Sequence, residues 1–191
     1  MKKILILIGL FLTMTNAQAQ DLENTLYLDL KDGRVIIEMY PEEAPQHVAR
    51  IKELTRDGFY NGLLFHRVME GFMAQTGDPK GNGTGGSGQN INAEFNEISH
   101  RRGIVSMARA LNPNSADSQF FICLGDAPFL DGQYTVWGKV ISGMEFVDMI
   151  KKSDGNESGT VIHPDKIVKM QVAADVEGAS NKDEKSWGVW K

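Results

Sequence analysis

Short apolar runs broken by glycine and turn residues constrain this 191-residue chain more than any other feature. Residues 25–30, 35–40, 63–68, 72–76, 104–108, 120–124, 134–141 and 166–172 read as β-strands from their alternation and their β-branched and aromatic content. Lys31-Asp32-Gly33-Arg34 joins the first two, and its Asp-Gly pair is a strong hairpin signal. Only two stretches carry helical spacing. In residues 44–57, Ala44, Val48, Ile51 and Leu54 recur three or four apart and Gly58 marks the stop; residues 144–152 form the second. Many short strands, glycine-rich turns and two helices predict a mainly β domain, a closed barrel or a sandwich.

The first twenty residues follow a different rule. Lys2-Lys3 precede an apolar run of 11 residues, Ile4 to Met14, and then Asn16-Ala17-Gln18-Ala19. A basic start, a short apolar stretch and an A-x-A ending form the pattern of a secretory signal peptide. A bilayer span takes about 20 apolar residues, so the run is too short for an anchor. Three segments are therefore expected: a leader over 1–19, one domain over 20–173 and a polar tail over 174–191 that carries Trp187 and Trp190. The mature protein is expected to be periplasmic or secreted, with no membrane span after cleavage.

Cleavage would remove two lysines and no acid, taking the net charge from −5 to −7. That charge argues against nucleic acid as a partner, because phosphate backbones are held by basic patches. Cys123 is the only cysteine, so no internal disulfide can form even in an oxidising compartment. It lies in the apolar run Phe120-Phe121-Ile122-Cys123-Leu124 and reads as a buried, inert thiol.

Several motifs fail on context. Gly83-Thr84-Gly85-Gly86-Ser87-Gly88 matches G-x-G-x-x-G, but a dinucleotide site needs a preceding strand, a following helix and an acid about 20 residues on. A mobile surface loop over 81–88 with no nucleotide role is the expectation. His47, His66, His100 and His163 show no paired spacing for a metal. Ser87 and Ser106 lack the context of a nucleophile elbow. No cofactor and no metal is expected.

Three stretches remain, and they carry the chemistry. They are Phe65-His66-Arg67-Val68-Met69-Glu70-Gly71-Phe72-Met73-Ala74-Gln75-Thr76-Gly77-Asp78, then Ser106-Met107-Ala108-Arg109-Ala110 with Ser118-Gln119-Phe120-Phe121-Ile122, then Phe129-Leu130-Asp131-Gly132-Gln133-Tyr134. In this order and spacing the chain resembles the cyclophilin-type peptidyl-prolyl isomerases from about Asn24 to Val172. The resemblance implies a closed eight-stranded antiparallel β-barrel capped by two α-helices. It implies Arg67 as the catalytic group and Phe72, Met73, Phe121 and Leu130 as the proline pocket. It also implies that Gln75, Ala108, Arg109 and Gln119 contact the substrate backbone. Proline-containing polypeptides, unfolded or exported, are the implied partners of a monomer. The alternative is a chaperone module that binds proline peptides, with incidental isomerase activity.

From the residues alone, alternation along 65–68 would put Phe65 and Arg67 on one face and His66 on the other. Phe120 and Phe121 must likewise point to opposite faces. Two departures from the family pattern stand out. Phe129 replaces the Trp typical of cyclosporin-sensitive members, and Tyr134 replaces a common His. Arg109, where many members carry Asn, adds a charge at the groove.

Overall fold

The computed structural model describes residues 21–177. The strands are β1 (Thr25–Asp29), β2 (Arg34–Met39), β3 (Arg67–Met69), β4 (Met73–Thr76), β5 (Ile104–Met107), β6 (Phe120–Cys123), β7 (Val136–Ser142) and β8 (Lys169–Val172). They form one antiparallel sheet in the order β3-β4-β6-β5-β7-β2-β1-β8. Two α-helices lie between these strands, α1 (Pro45–Arg56) and α2 (Met144–Asp148). The leader at 1–19 and the two tail tryptophans, Trp187 and Trp190, lie outside the described residues. Residues 173–177 are helical. Asp175 pairs with Arg56 at 3.0 Å, and Glu177 accepts from the Tyr27 hydroxyl at 3.2 Å.

Side-chain alternation sorts the sheet into two apolar clusters. Leu26, Leu28, Val35, Ile37, Phe120, Ile122 and Trp137 join the main core with helix residues Val48, Ile51 and Leu54. Met73, Phe121, Cys123, Leu130 and Val136 form a second, smaller cluster. Phe120 and Phe121 therefore do face opposite ways. Burying a side chain of this size contributes roughly 1.5–3 kcal/mol, so the larger cluster carries most of the stability.

The sheet curls into a half-barrel, because the two edge strands β3 and β8 do not pair with each other. Strand pairing alone thus does not make the closed barrel expected from the sequence. Loop backbone fills the gap instead. Leu64 bridges Lys166 and Arg67 bridges Thr160. Further bonds run from Phe65 N to Asp165 O at 2.9 Å and from Val68 N to Gly159 O at 2.9 Å.

This seam explains why the third strand is shorter than its sequence pattern. Residues 63–66 spend their backbone groups on 161–167, so regular pairing with β4 begins only at Arg67. The expectation that Phe65 shares a face with Arg67 is corrected accordingly: Phe65 is fully buried in the main core, and Arg67 is half-buried on the other side. Helix α2 also stops early, at Asp148. Beyond it Lys151 N is drawn to the Asp165 carboxylate at 2.8 Å and Ser153 N to Val68 O at 3.0 Å, which pulls the backbone off a helical path.

Helix α1 begins with Pro45 and has no side-chain cap of its own. The Glu94 carboxylate supplies one from a distant loop, accepting from Gln46 N and His47 N at 3.0 Å each. An anion there satisfies orphan N–H groups and meets the positive end of the helix.

Candidate active site

The β3–β4 hairpin places Arg67 opposite Gln75 and Met69 opposite Met73. Val68 and Ala74 point into the main core, so Arg67, Gln75 and Met73 share the other face. Arg67 Nε donates to Ser158 O at 2.9 Å and Nη1 to Gln75 Oε1 at 3.2 Å, while Nη2 lies 3.3 Å from Met69 Sδ. Burial pulls the Arg67 pKa down and the nearby Tyr134 opposes this. A guanidinium still stays charged at any physiological pH.

Beside Arg67 opens a pocket of about 410 Å³. Met73, Phe121 and Leu130 make its floor, each buried. Phe72, Phe129 and Tyr134 wall it, with Gln75, Ala108 and Arg109 along the rim and Gln133 beside them. Phe129 is 63% exposed and leans on Phe72, ring centroids 5.4 Å apart. Tyr134 meets Phe121 edge to face at 6.0 Å. The ten residues other than Gln133 are all ones that the sequence reading names.

Gln119 is the named residue that lies outside this pocket. It lines a neighbouring hollow, also about 410 Å³, with Gly83, Gly85, Asn90, Ser115 and Asp117. It joins the first pocket through Gln75, whose Nε2 donates to Gln119 Oε1 at 2.9 Å. Gln119 Nε2 in turn donates to Gly83 O at 3.1 Å and Gly85 O at 2.8 Å.

The glycine-rich segment, expected as a surface loop, therefore lines the neighbouring hollow and is held in place there. The anchors are polar rather than apolar. Asp78, 1% exposed, accepts from Lys80 N at 2.7 Å, Asn82 N at 3.0 Å and Gly83 N at 2.6 Å. Burial alone would raise this carboxyl, but these backbone N–H groups outweigh it and hold the pKa below its ordinary value. Sequence reasoning missed Asp78 and Gln133 as parts of the site. An acid before a Gly/Asn-rich stretch is a signal for such a turn; Gln133 carries none.

The remaining motifs resolve as structure. His100 Nδ1 lies 2.9 Å from Asp131, and its Nε2 lies 3.0 Å from Ser106 Oγ. That is the connectivity of a hydrolytic triad. Ser106, however, has no exposed surface and its hydroxyl donates to Thr135 O at 2.8 Å, so it cannot meet a substrate. The network sits behind Phe121, on which His100 stacks. Cys123 is fully buried, and that burial pushes its thiol up to about 12.

The site is thus a pocket with an apolar floor, a charged guanidinium at its mouth and an amide on its rim. The family model for cyclophilin-type peptidyl-prolyl cis-trans isomerases matches residues 25–172, and the chain belongs to that family. A probable peptidyl-prolyl cis-trans isomerase of Brucella suis is 56% identical over 173 residues, covering 84% of this chain and 88% of the relative. Peptidyl-prolyl cis-trans isomerase B of Bacillus subtilis is 47% identical over 133 residues, 68% of this chain and 92% of the relative. A cyclophilin-type isomerase of Cryptosporidium parvum, solved in the presence of the dipeptide Ala-Pro, superposes with a TM-score of 0.72. It is 31% identical and covers 78% of this chain and 98% of its own.

Proposed function

We propose that this peptidyl-prolyl cis-trans isomerase speeds slow proline steps in exported proteins, with Arg67 as its catalytic group. The observation that carries the catalytic assignment is the pairing of Arg67 with Gln75 at the mouth of the pocket that all the predicted ring contacts line. The basic, apolar, A-x-A start supports export.

Rotation about X-Pro is opposed by amide resonance, a barrier of about 18–20 kcal/mol. In the twisted transition state the proline nitrogen regains a lone pair. Arg67 can donate to that lone pair and not to the planar ground-state nitrogen, which is differential binding of the transition state. Met73, Phe121 and Leu130 grip the ring while the acyl side turns, and the Gln75 amide helps fix the carbonyl. Uncatalysed exchange takes roughly 10–100 s. An ordinary turnover then needs a barrier lowered by about 3–7 kcal/mol, within reach of charge-assisted bonds in a sheltered groove. The curled sheet serves as a closed barrel in this reading, its seam made by residues 159–167.

The test is a protease-coupled isomerisation assay on the purified chain lacking residues 1–19, beside secretion of the full chain. Turnover with export supports both parts. Peptide binding without turnover would leave only the chaperone alternative.

A further inference from the structure

We propose that Arg109 is a positioning residue of the isomerase: its side chain straps together the two loops that wall the proline pocket and fixes Tyr134 between them. This rests on the isomerase reading above.

One wall comes from residues 108–111, which follow β5, and the other from residues 129–134, which precede β7. Arg109 spans them. Its Nε and Nη2 both donate to Gln133 O, at 3.1 and 2.9 Å. Its Nη1 donates to Ala110 O at 2.9 Å and approaches Leu111 O at 3.4 Å. The flat face of the guanidinium lies on the Tyr134 ring, Cζ 4.4 Å from the centroid.

Two consequences follow from these contacts. All but one of the Arg109 N–H donors already point at main-chain carbonyls, so the side chain has little left to offer a substrate as a hydrogen-bond donor. Its effect reaches the pocket through what it holds. Tyr134 is backed by Arg109 on one side and meets Phe121 on the other. Gln133, fixed by its carbonyl, sends its own Nε2 to Phe129 O at 2.9 Å. One guanidinium thus ties the backbone at 110–111 to Gln133 and, through it, to Phe129, while it covers the Tyr134 ring.

Of the two long cations, only arginine can make this strap. The planar fork covers one carbonyl with two donors while its face stacks on the ring, and an ammonium can do one or the other. Because Arg109 touches no reacting atom, it holds a pocket that grips planar and twisted proline alike. That is uniform binding, which appears in KM and not in kcat.

The experiment measures kcat and KM on a short peptide with a single Ala-Pro bond. The proteins are wild type, Arg109→Gln, Arg109→Lys, Tyr134→Ala and the double variant Arg109→Gln/Tyr134→Ala. Both Arg109 variants are expected to raise KM about fivefold or more with kcat within about threefold of wild type. In the Tyr134→Ala background, Arg109→Gln should raise KM less than it does in the wild-type protein, since the ring that Arg109 covers is gone while its bonds to Gln133 O are still there to lose. Full rescue by lysine, an unchanged KM, a loss confined to kcat, or independent effects of the two substitutions would each overturn the proposal. Arg67→Ala run in parallel separates the two readings: a fully active Arg67→Ala protein sinks the catalytic assignment whatever Arg109 does.

Discussion

Arg67 and Gln75 stand directly opposite each other across the β3–β4 ladder, and their side chains meet at 3.2 Å. The register of one short hairpin therefore fixes this cation against a neutral amide rather than against a carboxylate. A carboxylate partner would draw charge away from the proline nitrogen; the Gln75 carbonyl orients the fork without neutralising it. The same amide passes the order on, from Gln75 to Gln119 and from there to Gly83 O and Gly85 O. Three further stretches, at Gln75, Gln119 and Gly83–Gly85, are thereby set relative to one cation.

Replacing Arg67 by alanine should lower kcat/KM by at least about a hundredfold, in line with the loss of a preorganised charge-assisted donor. The fold should survive, because Arg67 is only half-buried and its neighbours Val68 and Ala74 anchor the hairpin. Arg67→Lys should recover little. Steady-state kinetics with circular dichroism check this; near-wild-type activity in Arg67→Ala contradicts the mechanism.

Phe129 is expected to set the inhibitor response. It is 63% exposed, rests on Phe72 and has no N–H to donate. Cyclosporin should inhibit weakly, and Phe129→Trp should strengthen inhibition about tenfold or more, as an added donor and larger ring would. Inhibition titrations on both proteins decide it. Strong inhibition of the unaltered protein counts against the role given to Phe129.

Stability should decline on mild acidification. Burial pulls the His66 pKa below its ordinary value, with Asp78 opposing. Burial does the same to His47 against the opposing Glu94 hydrogen bond. The folded state thus takes up protons later than the unfolded one. Its stability is full above about pH 6.5 and falls as pH drops from there toward the folded pKa. Each linked proton gives a slope of up to about 1.4 kcal/mol per pH unit. Melting temperatures from pH 7.5 to 4.5 should show a shallower slope for His66→Leu than for wild type, and equal slopes would contradict the assignment.

The Cys123 thiol should not react in the native protein. It has no exposed surface and its pKa is pushed up to about 12, so almost no thiolate exists at neutral pH. A chromogenic disulfide reagent should label it only after denaturant is added, at the rate of global unfolding. Rapid labelling of folded protein would show that the second cluster opens locally.

The strands were legible in the sequence because they follow local rules, and the pocket residues because three stretches resemble those of the cyclophilin-type isomerases. Alternation separates Phe120 from Phe121 and places Met73 beside Gln75, and the apolar spacing of α1 falls where the helix forms. What stayed hidden is decided by polar contacts between distant segments. Nothing near residue 67 announces that 63–66 will bond to 161–167 and delay the start of β3. The cap of α1 comes from Glu94, 47 residues beyond His47. The glycine segment looked unanchored because its anchors are an aspartate and a glutamine, not apolar side chains. Arg109 was legible as a charge at the groove, but its bonds to Gln133 O depend on a loop 24 residues further on.

The seam between the sheet edges has a consequence for an enzyme that must meet unfolded chains. An exposed strand edge invites another chain to add itself by backbone pairing and stay. Here Val68 on β3 gives its N–H to Gly159 and takes the N–H of Ser153, and Met170 N on β8 is closed by the Asn61 side chain at 2.9 Å. A client therefore finds no ladder to extend at either of these positions. A proline-containing chain bound at the pocket would gain nothing from strand addition at these two positions.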